Sequence, residues 1–185
     1  MSEATGAVQG NHSFVRRVID ASLLKADAYE EVEADQGANG QAFAVVVLSA
    51  VGAGIGAIEN SGAMGILWHT LVAVVGWYAW AYVTYFIGTR FLPTSDTVAD
   101  HGELLRTIGF SSAPGVLRIF MLVEPIALWV LIACTLWMLV AMVVAVRQAL
   151  DYEGTWRAIA VCTIGFPIYA VAVVASILIL GPWPI

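Results

Sequence analysis

Residues Ile126 to Val146 read IALWVLIACTLWMLVAMVVAV, 21 side chains without a charge. At a rise of about 1.5 Å per residue such a run makes a helix of roughly 30 Å, the thickness of a bilayer's hydrocarbon core. Four more apolar stretches flank it: Gln41 to Ile58, Ile66 to Gly88, Ile108 to Val123 and Ala158 to Leu180. The expected fold is all-α, with five transmembrane helices preceded by an amphipathic cytoplasmic helix. Composition agrees. Of 185 residues, 60% are hydrophobic and 12% charged, too little polar surface to cover a soluble globule.

The basic residues order the passes. Arg16, Arg17 and Lys25 precede the first run, Arg90, Arg106 and Arg118 lie between or beside the second and third, and Arg147 and Arg157 separate the last two. The other gaps carry no Lys or Arg. Because short loops rich in Lys and Arg stay on the cytoplasmic side, this pattern predicts an N-terminus inside and a C-terminus outside, periplasmic or extracellular, in a bacterial inner membrane. The third run is the weak one: it is short, carries Arg118, and opens at Ser111-Ser112-Ala113-Pro114-Gly115. A single helix from Pro114 to Arg147 would give four crossings instead; the basic residues favour five, with a tight turn at Glu124-Pro125. The expected organisation is a cytoplasmic segment over 1–40, a membrane domain over 41–180 and a short outer tail over 181–185.

Within the first segment, an interfacial helix is expected over about 13–35. Phe14, Val15, Val18, Ile19, Ala21 and Leu23 recur at helical spacing, with Arg16, Arg17, Asp20 and Lys25 elsewhere on the wheel. Met1 to Ser13 shows no signal-peptide pattern. The acids Glu30, Glu31, Glu33 and Asp35 form an expected partner surface that would repel nucleic acid. Between the second and third runs, Thr97 with Asp100 reads as a capping box starting a short helix, with Val98, Leu104, Leu105 and Ile108 as a greasy face at the interface.

Gly52, Gly54 and Gly56 sit in an apolar helix with no phosphate-loop context; Gly52, Ala53 and Gly56 are instead a face for close helix packing, against this chain or a partner. Arg118 and Arg90 are candidates for an anionic group such as a lipid phosphate, and Glu124 is a candidate intramembrane or turn acid. Cys134 and Cys162 lie in separate apolar runs with no metal spacing, and Asp100-His101-Gly102-Glu103 is a lone acid and histidine cluster. No catalytic constellation or resident cofactor is expected, with His69 as a subsidiary candidate for ligating a pigment or haem.

Several motifs resemble bacterial members of the Yip1-domain family. They are Tyr29-Glu30-Glu31-Val32-Glu33-Ala34-Asp35, Thr84 to Arg90, Glu103 to Phe110, Ala113-Pro114-Gly115 and Ala145 to Asp151, in order over nearly the whole chain. The resemblance implies a five-helix membrane domain with a cytoplasmic N-terminus. Eukaryotic relatives are implicated in vesicle traffic and contact with prenylated GTPases, a role that does not transfer to the bacterial look-alikes. The expected function is a non-catalytic accessory or scaffold subunit that binds lipid or another integral membrane protein within a larger complex. The competing expectation is a small transporter or channel component with a polar path near Arg118.

Overall fold

The computed structural model describes residues 12–94, 97 and 99–180, and among them the chain is helical throughout, with no strand. The signal-peptide reading of Met1 to Ser13 falls mostly outside them, as do the expected outer tail 181–185 and Val98. The elements are α1 (Phe14–Ser22), α2 (Ala26–Ala34), a 3-10 turn (Gln36–Ala38), α3 (Asn39–Gly56), α4 (Ile58–Arg90), α5 (His101–Ser111), a 3-10 helix (Ala113–Leu122), α6 (Glu124–Ala149) and α7 (Thr155–Leu180). Among the described residues, three helices are long and apolar enough to cross a membrane: Gln36–Gly56, Met64–Arg90 and Glu124–Ala149. Thr155–Val171, within α7, is a shorter apolar helix. The chain is an all-helical membrane protein.

The third expected span is not one α-helix. Pro114 occupies the first turn after Ser112, where its missing N–H costs nothing, and from there the backbone winds as 3-10 to Leu122. At about 2 Å per residue that helix is roughly 20 Å long, short of a bilayer core on its own. It continues the direction of α5, and the two run alongside α3. Glycines record the register: Gly109 abuts Ala42, Gly115 abuts Ser49, Gly52 abuts Val116, and Gly56 abuts the Arg118 carbonyl. A Cβ on Gly52 would lie 2.8 Å from the Val116 oxygen, so backbone approach here requires the absence of a side chain. The small-residue face is used within the chain itself. The bend at Val123 then reverses the chain into α6 one residue before the expected Glu124-Pro125 turn.

Three local expectations are also corrected. The N-terminal helix is two helices broken at Leu23–Lys25, where Leu24 adopts a left-handed φ of 62°. Its faces are divided: Ala21 is buried and Phe14 and Val18 pack on the core, whereas Val15, Ile19 and Leu23 point outward. The capping box of α5 lies three residues later than read, with the Asp100 carboxylate accepting from the Glu103 N–H (2.9 Å) and Glu103 accepting from the Asp100 N–H (2.7 Å). The Thr97 hydroxyl instead accepts from the Thr94 N–H and donates to the Leu150 carbonyl. Finally, the greasy face of α5 is covered by other helices of the chain. Leu104, Ile108 and Phe110 are fully buried because α2, α3, α4 and α6 all pack around this one short helix.

Candidate functional site

Between α3, α4, α6 and α7 the bundle leaves a cavity of about 920 Å³ whose wall is overwhelmingly apolar. Small residues line it: Ala50 and Ala53 on α3 and Ala73 on α4 leave space that larger side chains would fill, and Gly76 of α4 makes room for the Tyr169 hydroxyl. Met138 and Met142 of α6 form a deformable wall. The Trp80 indole holds Met142 through Nε1 to Sδ at 2.6 Å and meets Tyr169 edge-on, with ring centroids 5.5 Å apart. On α7, Pro167 removes the N–H that would bond the Thr163 carbonyl one turn earlier, and both residues line the cavity. That position was open to notice in the sequence as a proline inside an apolar run.

Arg118 is the cation of this cavity. Carried by the 3-10 helix opposite Gly56 at the far end of α3, it is well separated from Arg17 and Arg106, which bond Gln41 and Asn39 at that helix's start. One guanidinium nitrogen donates to the Thr135 hydroxyl of α6 at 3.2 Å. Its Nε is buried and has no hydrogen-bond partner among the described residues. Arg90, the other anion candidate, ends α4 and is not part of the cavity wall, so the structure does not bring the two together. Glu124 is exposed in the first turn of α6, where a carboxylate complements the helix dipole. His69 lines the cavity with Nδ1 2.7 Å from the Gly65 carbonyl. Ala53 lines the cavity, while Gly52 and Gly56 serve packing.

The four acids expected as one surface are divided. Glu31 and Asp35 bind the Arg17 guanidinium at 2.9 and 2.8 Å, and Arg17 is only 2% exposed. The hydrogen bond from Arg17 holds the Asp35 carboxyl below the usual carboxylate range. Burial works against ionising Glu31, but its bonds to His12 and Arg17 prevail and its pKa also falls. Glu30 and Glu33 turn the other way, into a polar crevice of about 460 Å³ with Glu103, Arg147, Asp151 and Glu153. Burial first, then the charges of Asp151, Glu103 and Glu30, push the Glu33 carboxyl up to about 8 against the pull of Arg106. Sequence reading grouped acids by adjacency; the fold regroups them across three segments. Among the described residues no group of three His, Cys, Asp or Glu could hold a metal ion, and His101 sits edge-on to Tyr78 at 5.0 Å.

The family model of the Yip1 domain matches residues 22–177, from the end of α1 to the last turn of α7. The chain belongs to the Yip1-domain family. The match takes in α2, the buried α5 and the 3-10 helix as well as the long apolar helices, so this Yip1 domain includes both the Arg118 cavity and the acidic crevice. No curated protein matches the chain, and no solved structure does.

Proposed function

We propose that this Yip1 domain is a non-catalytic accessory or scaffold protein that binds a lipid in the Arg118 cavity, acyl portion against Met138, Met142 and Trp80, anionic group on the guanidinium. One observation supports the reading: a charged side chain enters an apolar cavity with its Nε buried and unbonded among the described residues. An unpaired charge in hydrocarbon costs several kcal/mol, and an anionic ligand offsets that cost. A wall of apolar and aromatic side chains with few polar groups is also the usual lining of a small-molecule site. Five passes with the N-terminus inside fit this reading, because α5 and the 3-10 helix together extend over roughly 36 Å by their rises and supply the third pass jointly.

The test is native mass spectrometry of protein purified in mild detergent. Wild type should retain an anionic phospholipid and Arg118→Leu should lose it while eluting normally by size exclusion; equal retention by both would overturn the assignment. A transport reading draws on Ser49, His69 and Thr163, which add polar groups to the same cavity. Ion flux into liposomes that disappears with Arg118→Leu would favour it over a static lipid site.

A further inference from the structure

We propose that α1 and α2 form a hairpin wedge seated among the acyl chains of one leaflet, its tip at Ser22 to Lys25, rather than a helix lying flat on the headgroups. The depth comes from Trp137. This residue sits halfway along α6, about 18 Å by helical rise from Ala149, and its Nε1 donates to the Ser22 carbonyl at 2.7 Å. An interfacial helix buries its apolar face only about 5–10 Å below the headgroups and would not reach a carbonyl partner at the middle of a spanning helix.

The other end of the hairpin is fixed at the mouth of the bundle. Arg17 donates to Gln41 at 3.1 Å, beside the first turn of α3, and pairs with Asp35 just before it. Four residues later Ala21 packs in one cluster with Val45 and Ala113, and α1 as a whole contacts the 3-10 helix. The axis of α1 therefore descends along the bundle. Tyr29 closes the hairpin by donating to the Ala21 carbonyl at 3.0 Å.

Two further features suit immersion. Backbone polar groups at membrane depth must be satisfied internally. Three N–H groups at the turn find such partners: Leu23 N–H bonds Ile19, Leu24 N–H bonds Ala21, and Lys25 N–H bonds Asp20. The Lys25 ammonium pairs with the Asp20 carboxylate at 2.7 Å, and Arg16 shares that carboxylate at 3.5 Å. On the outer side, Val15, Ile19 and Leu23 repeat every four residues and are 62%, 52% and 58% exposed. That stripe reaches the level of the uncovered Leu136 and Val140 of α6, so the surface that meets lipid along α6 continues onto α1. Acyl chains are the occupant that this continuity favours.

Single-cysteine chains test the depth. Val15→Cys, Ile19→Cys and Leu23→Cys, each with Cys134→Ala and Cys162→Ala, are labelled with an environment-sensitive fluorophore and reconstituted into phosphatidylcholine vesicles carrying a nitroxide at a shallow or a deep acyl carbon. The expected result is a gradient, with the label at position 15 quenched best by the shallow nitroxide and that at position 23 at least twofold better by the deep one. Uniform shallow quenching would restore the flat helix. Reduction by aqueous dithionite at all three positions, or protection from every quencher by a second copy or another protein, would equally overturn the wedge.

Discussion

The Arg106 side chain closes the C-terminal end of α2: its Nε donates to the Val32 carbonyl at 3.0 Å and to the Glu33 carbonyl at 3.1 Å, and a second nitrogen also reaches Glu33. Only 4% exposed, it joins the acid-rich N-terminal hairpin to α5 in the centre of the bundle. A cation at that terminus satisfies carbonyls left over by the helix and complements the negative end of its dipole.

Replacing Arg106 should therefore release α2 before it unfolds anything else. Arg106→Ala is expected to cost about 2–4 kcal/mol, since charged hydrogen bonds are lost and buried carbonyls are left unpaired. Hydrogen exchange followed by mass spectrometry checks it: amides of residues 26–34 should exchange much faster, with those of α6 little changed. Uniform loosening of every helix would show that Arg106 supports the whole bundle and not this junction.

The Arg17 cluster should respond to acid. Asp35 and Glu31 have lowered pKa values in the fold, so their contribution is complete above the unfolded carboxylate range of about 4 and fades as pH falls through the folded values. Arg17→Met leaves both carboxylates without their cation. The hairpin of this variant should be undocked already at pH 7, and acidification should then restore rather than remove compactness, measured as protease resistance of residues 12–38.

Glu33 should respond in the opposite direction. Its folded pKa of about 8 lies above the ordinary 4.5, so between those values the folded chain retains a proton that the unfolded chain has lost. Stability from this site is full below about pH 4.5, declines as pH rises through the window, and is gone above about 8. Infrared spectroscopy should find a protonated carboxyl at pH 7 that vanishes in Glu33→Gln. Asp151→Asn, which removes one of the like charges acting on it, should lower the titration midpoint; an unchanged midpoint would leave burial and the Glu103 and Glu30 charges as its causes.

Glycine register gives a prediction inside the membrane domain. A Cβ at Gly109 would lie 2.7 Å from the Ala42 Cβ, and one at Gly52 would lie 2.8 Å from the Val116 carbonyl, with backbone and not flexible side chain in the way. Gly52→Ala and Gly109→Ala should each cost about 1–3 kcal/mol. Gly40→Ala, with open space around it, should be neutral. Thermal unfolding in detergent distinguishes the three.

Long apolar runs were legible because hydrocarbon demands them: α3, α4, α6 and α7 overlap the expected stretches, with most ends within a few residues, but α4 begins at Ile58, eight residues before the expected Ile66, so the gap read around Glu59 is helical. Pro114 announced a helix start correctly, but a proline does not state whether 3-10 or α winding follows. Arg17 was read on the polar face because charge normally seeks water; burial beside Glu31 and Asp35 satisfies the same requirement by pairing. Arg118 stood out as an ion in an apolar run, whereas its partner Thr135 was an ordinary threonine until α6 brought it within 3.2 Å.

Membrane residence and helical content follow from residue types in order along the chain, since the free energy of placing each side chain in hydrocarbon depends on that side chain and its close neighbours. The Met-lined cavity around Arg118, the regrouping of Glu33 with Glu103 and Asp151, and the descent of α1 to Trp137 depend on which helices adjoin. Those adjacencies arise from packing among residues distant in the chain, such as Gly52 with Val116 and Ser22 with Trp137, and local composition carries no record of such pairings.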